Sequence, residues 1–279
     1  MSELIKIAGV QMDVEFAKPD VNLRRMKSTM EETAGNGAFL TVFPECALTG
    51  YCFESLEEAQ PFAETIPGPS TQEMVEICKR FEVFAAFGML EQDGDRLFNA
   101  CVLVGQNGVV GAYRKIHLPF LGIDRFVTPG DRPFDVVSVG PMRVGMNICY
   151  DGAFPESSRV MALGGADLII LPTNWPPGAQ TFADYAINSR AMENCIFYMA
   201  VNRIGTEGEF RFIGKSRICD TDGDNLAFAS HEDETILYAE IDVERARNKR
   251  LVRVPNKHEI DRFADRRPEM YGPITAAKK

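Results

Sequence analysis

The chain has 279 residues, 45% of them hydrophobic and 25% charged, and carries a formal net charge of −10 at pH 7. This composition excludes a disordered or collagen-like chain and supplies enough apolar side chains for a sizeable core. The acidic balance argues against nonspecific nucleic-acid or anionic-membrane binding, since both need a basic patch that displaces counterions.

From the N-terminus, "MSELIKIAGVQM" lacks a positively charged leader before a long apolar region, so no signal peptide is expected. The strand "IKIAGVQM" is followed by Leu23, Met26 and Met30 on one helical stripe, and then by the strand "FLTVFPE". Ser70 and Glu73 have the spacing of a capping box for a helix carrying Met74, Ile77, Cys78 and Phe81. Next come "VFAAFGML" and "LFNACVLV", separated by "EQDGDR", whose Asp-Gly predicts an antiparallel hairpin. "GQNGVVG" lacks the glycine spacing of a nucleotide fingerprint and reads as a turn.

Beyond the loop "LPFLGIDRFVTPGDRPF", the strands "RVGMNI", "DLIILP" and "FYMAVN" alternate with the helical stretches "PESSRVMALGGA" and "FADYAINSRAMEN". "KSRICDTDGDNLAFAS" predicts a second hairpin and "ILYAEID" a late strand. "DTDGDN" resembles the start of a calcium loop, but Asn225 stands at its sixth position and His231 at its twelfth, so no metal is expected there. The densest basic stretch, "RNKRLVRVPNK", is broken by apolar residues and reads as a solvated helix face and its exit.

No linker rich in Pro, Gly or Ser divides these elements. A single domain over residues 1–279 is therefore expected, with residues from about 255 onward as a C-terminal extension. The fold class is α/β. Two halves rich in β-α-β units, with hairpins inserted, suggest an αββα sandwich of two mixed sheets with helices outside; a single doubly wound sheet is the alternative. No window approaches 18 consecutive apolar residues, so no membrane association is expected. Seven cysteines, an odd number without close pairs, fit free thiols in a reducing cytoplasm, and neither metal nor cofactor is expected.

Most free cysteines are inert packing residues, and Cys78 and Cys101 read that way. Cys149 differs because it follows a strand where the chain must turn before a helix near Pro155. Such a turn lifts a side chain from the sheet's end and offers backbone N–H groups to a thiolate or an oxyanion. Of His117, His231 and His258, only His117, in "YRKIHLP", stands beside other chemistry-bearing residues, so support for a Cys/His/Asn site is weak. Glu45 ends one apolar strand, and Lys115 another, where ligands bind in open α/β sheets.

Glu45, then Lys115 about 70 residues on, then Cys149 about 34 further, resemble the Glu-Lys-Cys triad of the carbon–nitrogen hydrolase (nitrilase) superfamily. "FPECALTGY", "YRKIHLP" and "NICYDGAFPE" look like its three motifs. "IAGVQM", "LPTNWP", "RAMENCIFYMAVNRIG" and "GKSRICDTDG" follow family segments in the family's order. The resemblance implies that Cys149 is the nucleophile, Glu45 the general base and Lys115, with the Tyr150 N–H, the stabiliser of the tetrahedral intermediate. It also implies that Tyr51, Asn174 and Trp175 contact substrate.

Many members carry a second glutamate after the lysine; here "IDRFVTPG" places Asp124 there, with the same charge and one methylene less. The resemblance further implies a small amide-like or carbamoyl substrate, an amidase-type rather than nitrilase-type cysteine motif, and a homodimer or higher homo-oligomer. Gly152 and Ala153 stand where members acting on N-carbamoyl amino acids often carry a carboxylate-binding arginine. Arg125 or Arg203 remains as a replacement from another loop.

Overall fold

Alternating apolar strands and amphipathic helices build two successive β-α-β units. In the computed structural model, which describes residues 4–230 and 232–276, each unit grows into its own sheet. The first half runs β1 (Ile5–Gln11), α1 (Pro19–Gly35), β2 (Leu40–Val42), α2 (Leu56–Ala59), α3 (Pro69–Phe81), β3 (Phe84–Asp93), β4 (Arg96–Gly105) and β5 (Gly108–Arg114). The second runs β6 (Val136–Val139), β7 (Met142–Met146), α4 (Pro155–Leu163), β8 (Leu168–Thr173), α5 (Gln180–Asn194) and β9 (Phe197–Asn202). A two-residue ribbon, β10 (Thr206–Glu207) with β11 (Phe210–Arg211), precedes β12 (Arg217–Cys219), β13 (Asn225–Phe228) and β14 (Thr235–Ile241). The chain closes with α6 (Val243–Arg247), β15 (Arg250–Val254), β16 (His258–Asp261) and α7 (Gly272–Thr275).

The strand orders are β14-β1-β2-β3-β4-β5 and β13-β12-β9-β8-β7-β6. Both sheets are mixed: β1, β2 and β3 run parallel, as do β7, β8 and β9, and antiparallel strands complete each edge. Because β6 to β9 pair among themselves, the single doubly wound sheet is excluded. Ile7, Val42 and Leu103 of the first sheet share one buried cluster with Val144, Ile170 and Met199 of the second. The opposite face of the first sheet buries Val10, Phe87 and Val102 against Met26 and Met30 of α1 and Met74 and Cys78 of α3. Met161 of α4 and Ile187 and Ala191 of α5 cover the second sheet, completing the expected αββα order. Full burial of each large apolar side chain contributes about 1.5–3 kcal/mol, so covering both faces of both sheets is the main stabilising term.

Several local expectations need correction. Ser70 and Glu73 form no capping box. Pro69, which has no N–H, starts α3, so the cap falls on Gly68, whose N–H donates to Thr71 Oγ1 at 2.7 Å. The Glu64 carboxylate accepts the Ser70 N–H (2.8 Å) and hydroxyl (2.6 Å), while Glu73 meets Lys27 at 2.7 Å. In the β3–β4 hairpin Asp93 pairs with Arg96, leaving Gly94 and Asp95 as the turn residues, with Gly94 at φ +60°. The basic stretch near residue 250 is not a helix face: α6 ends at Arg247, and β15 pairs with β16 alone, straddling residue 255. Two of its cations are ion-paired, Arg247 with Asp167 (3.0 Å) and Arg250 with Glu259.

The β12–β13 hairpin stands as expected. Asp220 Oδ1 accepts the N–H groups of Asp222 (2.9 Å) and Asp224 (3.0 Å), and Oδ2 meets Arg245 (3.1 Å), so hairpin-stabilising donors occupy the carboxylate. His231 lies outside the described residues.

Candidate active site

Just past β2, Pro44 and Cys46 flank Glu45 in a tight bend laid against β3. Phe43 N–H donates to Ala86 O (2.8 Å), Gly88 N–H to Pro44 O and Leu48 N–H to Gly88 O (both 3.1 Å). Only glycine fits at position 88, because a Cβ there would lie 2.2 Å from the Cys46 nitrogen and 2.6 Å from the Glu45 Cα. Cys46 adopts φ +48°, a left-handed conformation that costs a residue with a side chain roughly 1–2 kcal/mol. The bend turns the Glu45 carboxylate inward, away from solvent.

Lys115 continues β5 by one residue. Its N–H donates to Asn99 O and its carbonyl accepts Gly130 N–H, both at 2.8 Å, so the backbone is held from two sides. Its ammonium donates to Glu45 Oε1 at 2.6 Å and to Asp124 Oδ2 at 2.5 Å. Asn99 closes a ring, its amide donating to Glu45 Oε1 (2.7 Å) and Asp124 Oδ1 (2.9 Å); the Tyr51 hydroxyl adds a donor to Asp124 Oδ2 (2.7 Å). Glu45 Oε2 is buried without a hydrogen-bond partner. Burial, with the Asp124 charge, pushes the Glu45 carboxyl above its ordinary range even though Lys115 and Asn99 pull it down. For Lys115, burial works against the charged form, but Asp124 and then Glu45 more than offset it and hold the ammonium well above the usual lysine value.

Cys149 opens a 3-10 turn, Cys149–Ala153, between β7 and α4, at φ +44°. The strand-to-helix bend read from the sequence is therefore present, and Pro155 begins α4. The thiol is buried, within electrostatic reach of Glu45 and Lys115, and faces the Thr173 hydroxyl and the Asn174 backbone at the end of β8. Burial and then the Glu45 charge push its pKa up to about 12, although Lys115, Thr173 and Asn174 favour the thiolate. The resting sulfur is a thiol, so reaction with an electrophile needs a proton acceptor beside it.

The family model for carbon-nitrogen hydrolase matches residues 6–251. Among curated relatives, a nitrilase from Pyrococcus abyssi is 40% identical over 96% of this chain and 99% of its own. An omega-amidase from Homo sapiens is 30% identical over 95% and 96%. The chain belongs to the carbon–nitrogen hydrolase family. Solved structures agree in fold: a carbon–nitrogen hydrolase from Helicobacter pylori superposes with a TM-score of 0.85 at 23% identity, covering 98% of this chain and 99% of that one. A mutant amidase from Nesterenkonia sp. AN1 in complex with butyramide gives 0.78 at 21%, covering 96% of each.

In this carbon–nitrogen hydrolase the remaining predicted residues occupy different surroundings. Tyr51 belongs to the ring through Asp124, and its N–H is anchored by Glu207 Oε2 at 2.9 Å. Asn174 is fully buried, and both its amide nitrogen and its oxygen lack a hydrogen-bond partner. Trp175 is buried, its backbone N–H donating to Asn202 Oδ1 (2.9 Å) and its ring edge-on to Phe182, so packing dominates its surroundings. Tyr150 is half-exposed and meets Phe154 edge-on. His117 turns to Asp151, its Nδ1 2.8 Å from Oδ1, and stacks on Phe154 at 3.7 Å between centroids.

The two arginines left open as a carboxylate clamp differ in their surroundings. Arg203 is fully buried, paired with Asp13 and Glu207 (both 3.0 Å), and Arg125 meets Glu54 at 2.9 Å. Sequence reasoning also missed Asn99 and Asp151. Asp151 accepts from Ile148 N–H (2.9 Å), Tyr113 hydroxyl (2.8 Å) and His117 N–H (3.0 Å), tying the Cys149 turn to the segment that carries Lys115. The available signal was polarity inside apolar strands: an asparagine in "LFNACV" has no reason to be buried unless it is paired.

Proposed function

We propose that the protein hydrolyses a small, neutral amide or carbamoyl compound through a thioester on Cys149, releasing ammonia or an amine. The observation that carries this reading is the asymmetry of Glu45: Oε1 is fixed by Lys115 and Asn99, while Oε2 is buried, unpartnered and within electrostatic reach of a protonated thiol. As the sulfur attacks the substrate carbon, its proton passes to Glu45 and the carbonyl π pair moves onto oxygen. Lys115 and the N–H of Tyr150 stabilise that oxyanion; losing one such donor typically costs about 2.7–4 kcal/mol of barrier. Glu45 then delivers the proton to the nitrogen, the C–N bond breaks and the amine leaves. Water, deprotonated by Glu45, attacks the thioester, the C–S bond breaks and the thiol regains its proton. Asp124 keeps Lys115 charged and oriented. In support of a nucleophilic cysteine, a glutamate-to-glutamine mutant of an amidase from Nesterenkonia sp. AN1 shows covalent addition of the acetamide moiety of fluoroacetamide at the active site cysteine.

A neutral substrate is favoured because Arg203 is fully buried in ion pairs and glycine stands at position 152 after the cysteine. Arg125 and Arg203 are ion-paired, and a Cβ at Gly152 would meet Leu171 at 3.0 Å and Phe182 at 3.4 Å, leaving little room for a longer side chain. Nitrile hydrolysis is the second reading, favoured by the nitrilase among the relatives and disfavoured by the amidase-type "CYDGAFPE". Ammonia release from butyramide, an N-carbamoyl compound and butyronitrile separates the readings, with Cys149→Ala as control. The expected result is turnover of the amide and inactivation of the wild type by iodoacetamide, slowed by substrate. Wild-type turnover by Cys149→Ala would overturn the mechanism.

A further inference from the structure

Asn99 takes no part in the bond changes above, yet it touches more of the site than any group outside the Glu45, Lys115 and Asp124 set. It is fully buried on β4, and its single amide nitrogen donates to one oxygen of each carboxylate, at 2.7 and 2.9 Å. Its own oxygen faces the Cys46 sulfur at 3.7 Å, and its backbone carbonyl accepts the Lys115 N–H at 2.8 Å. Lys115 and Asn99 thus hold Glu45 Oε1 and both oxygens of Asp124, and Glu45 Oε2 alone is left without a partner.

A carboxylate held by one donor can rotate about its last carbon–carbon bond and exchange its oxygens. Held by two donors from different strands on the same oxygen, it cannot rotate without breaking both bonds, each strengthened by the charge. The second donor matters for another reason. Two carboxylates around one ammonium repel each other, and an amide that bonds to both holds them at a fixed separation with no charge of its own. Asparagine suits this place because its NH2 has two hydrogens in one plane, whereas a serine hydroxyl has one.

We propose that Asn99 is a positioning residue that locks the Glu45 side chain so that Oε2, and not Oε1, receives the thiol proton. This rests on the reading of Cys149 as nucleophile and Glu45 as its base. A hydrogen bond to the ionised carboxylate also favours that form, so loss of the Asn99 amide moves Glu45 toward protonation and shifts the acid limb of reactivity to higher pH.

The test measures the rate of Cys149 alkylation by iodoacetamide against pH, with mass spectrometry to identify the modified thiol. The proteins are the wild type, Asn99→Ser, which retains one donor hydrogen, and Asn99→Ala, which retains none. For both variants the acid limb should move to higher pH and the rate near neutrality should fall about tenfold or more, as expected for loss of a charge-assisted hydrogen bond. With butyramide, kcat should fall while KM stays within about twofold. Variants with a wild-type acid limb overturn the proposal, even if their melting temperature drops. So does failure of both to give a folded circular dichroism spectrum, since Asn99 would then be a determinant of the fold. A wild type that is not alkylated at Cys149 overturns the underlying catalytic reading instead, and this inference with it.

Discussion

Glu45 and Cys149 are both poor at their proposed tasks in isolation, and each is matched to the other. A thiol with a pKa of about 12 stays protonated across the neutral range, and a buried carboxyl raised above its ordinary value of 4.5 is a stronger base than a solvated one. The sign follows directly: ionised Glu45 is required, so kcat/KM is lost as pH falls through a pKa above 4.5. A pH profile whose acid midpoint lies at or below 4.5 would contradict this. Asp124 is set apart by donor count, since Lys115 and Tyr51 share one oxygen and Asn99 takes the other. Asp124→Asn keeps the shape but removes the charge and turns one amide against another at Asn99. It should reduce kcat/KM by about 100-fold, comparable to removing an oxyanion donor, with a melting temperature within a few degrees of wild type. Normal kinetics with reduced thermal stability would instead make Asp124 a structural residue.

The elements of the fold meet at the carboxyl ends of parallel strands. Glu45 follows β2, Cys149 follows β7, and Thr173 with Asn174 ends β8, as expected where ligands bind in open sheets. Each bend is held by a specific device: the Glu45 bend rests on Gly88, and the Cys149 turn is tied by Asp151 to Tyr113 and His117. Gly88→Ala forces its Cβ against backbone rather than against a movable side chain. The bend must shift, at an overpacking cost of about 1–3 kcal/mol. Urea unfolding should show a lower midpoint, and turnover should fall by more than the lost stability explains, because Glu45 moves with the bend. An unchanged midpoint together with unchanged kcat would show that the contact relaxes without consequence.

At the scale of the whole molecule, the outer helices of the second sheet leave apolar side chains in solvent: Val160 and Leu163 on α4, Tyr185 and Met192 on α5. Met270 and Ile274, near the C-terminal end, are more than half exposed. We propose that the protein is at least a homodimer, with these helices and the C-terminal segment at the interface. Light scattering at micromolar concentration should report twice the chain mass or more, and a monomer mass there would exclude the assembly under those conditions. No helix among the described residues is long and apolar enough to cross a membrane.

Sequence alone determined what depends on neighbours along the chain: the order of the longer buried strands and helices from their periodicity, the β3–β4 and β12–β13 hairpins, and the Glu45, Lys115 and Cys149 motifs; "GQNGVVG", read as a turn, gives its last four residues to β5. It misplaced the cap of α3 by letting Ser70 outweigh Pro69, and it read β15 as a helix exit because a two-stranded ribbon with charged faces has little apolar alternation to detect. Tertiary structure alone decided which groups complete the site. Asn99 meets Glu45 across 54 residues, and Tyr113 meets Asp151 across 38. It also withdrew Arg203, whose charge is spent on Asp13 and Glu207 from separate segments. The physical reason is common to all three. A buried polar group must find its partner wherever the packing of the two sheets places one, and no local pattern records which distant strand will supply it.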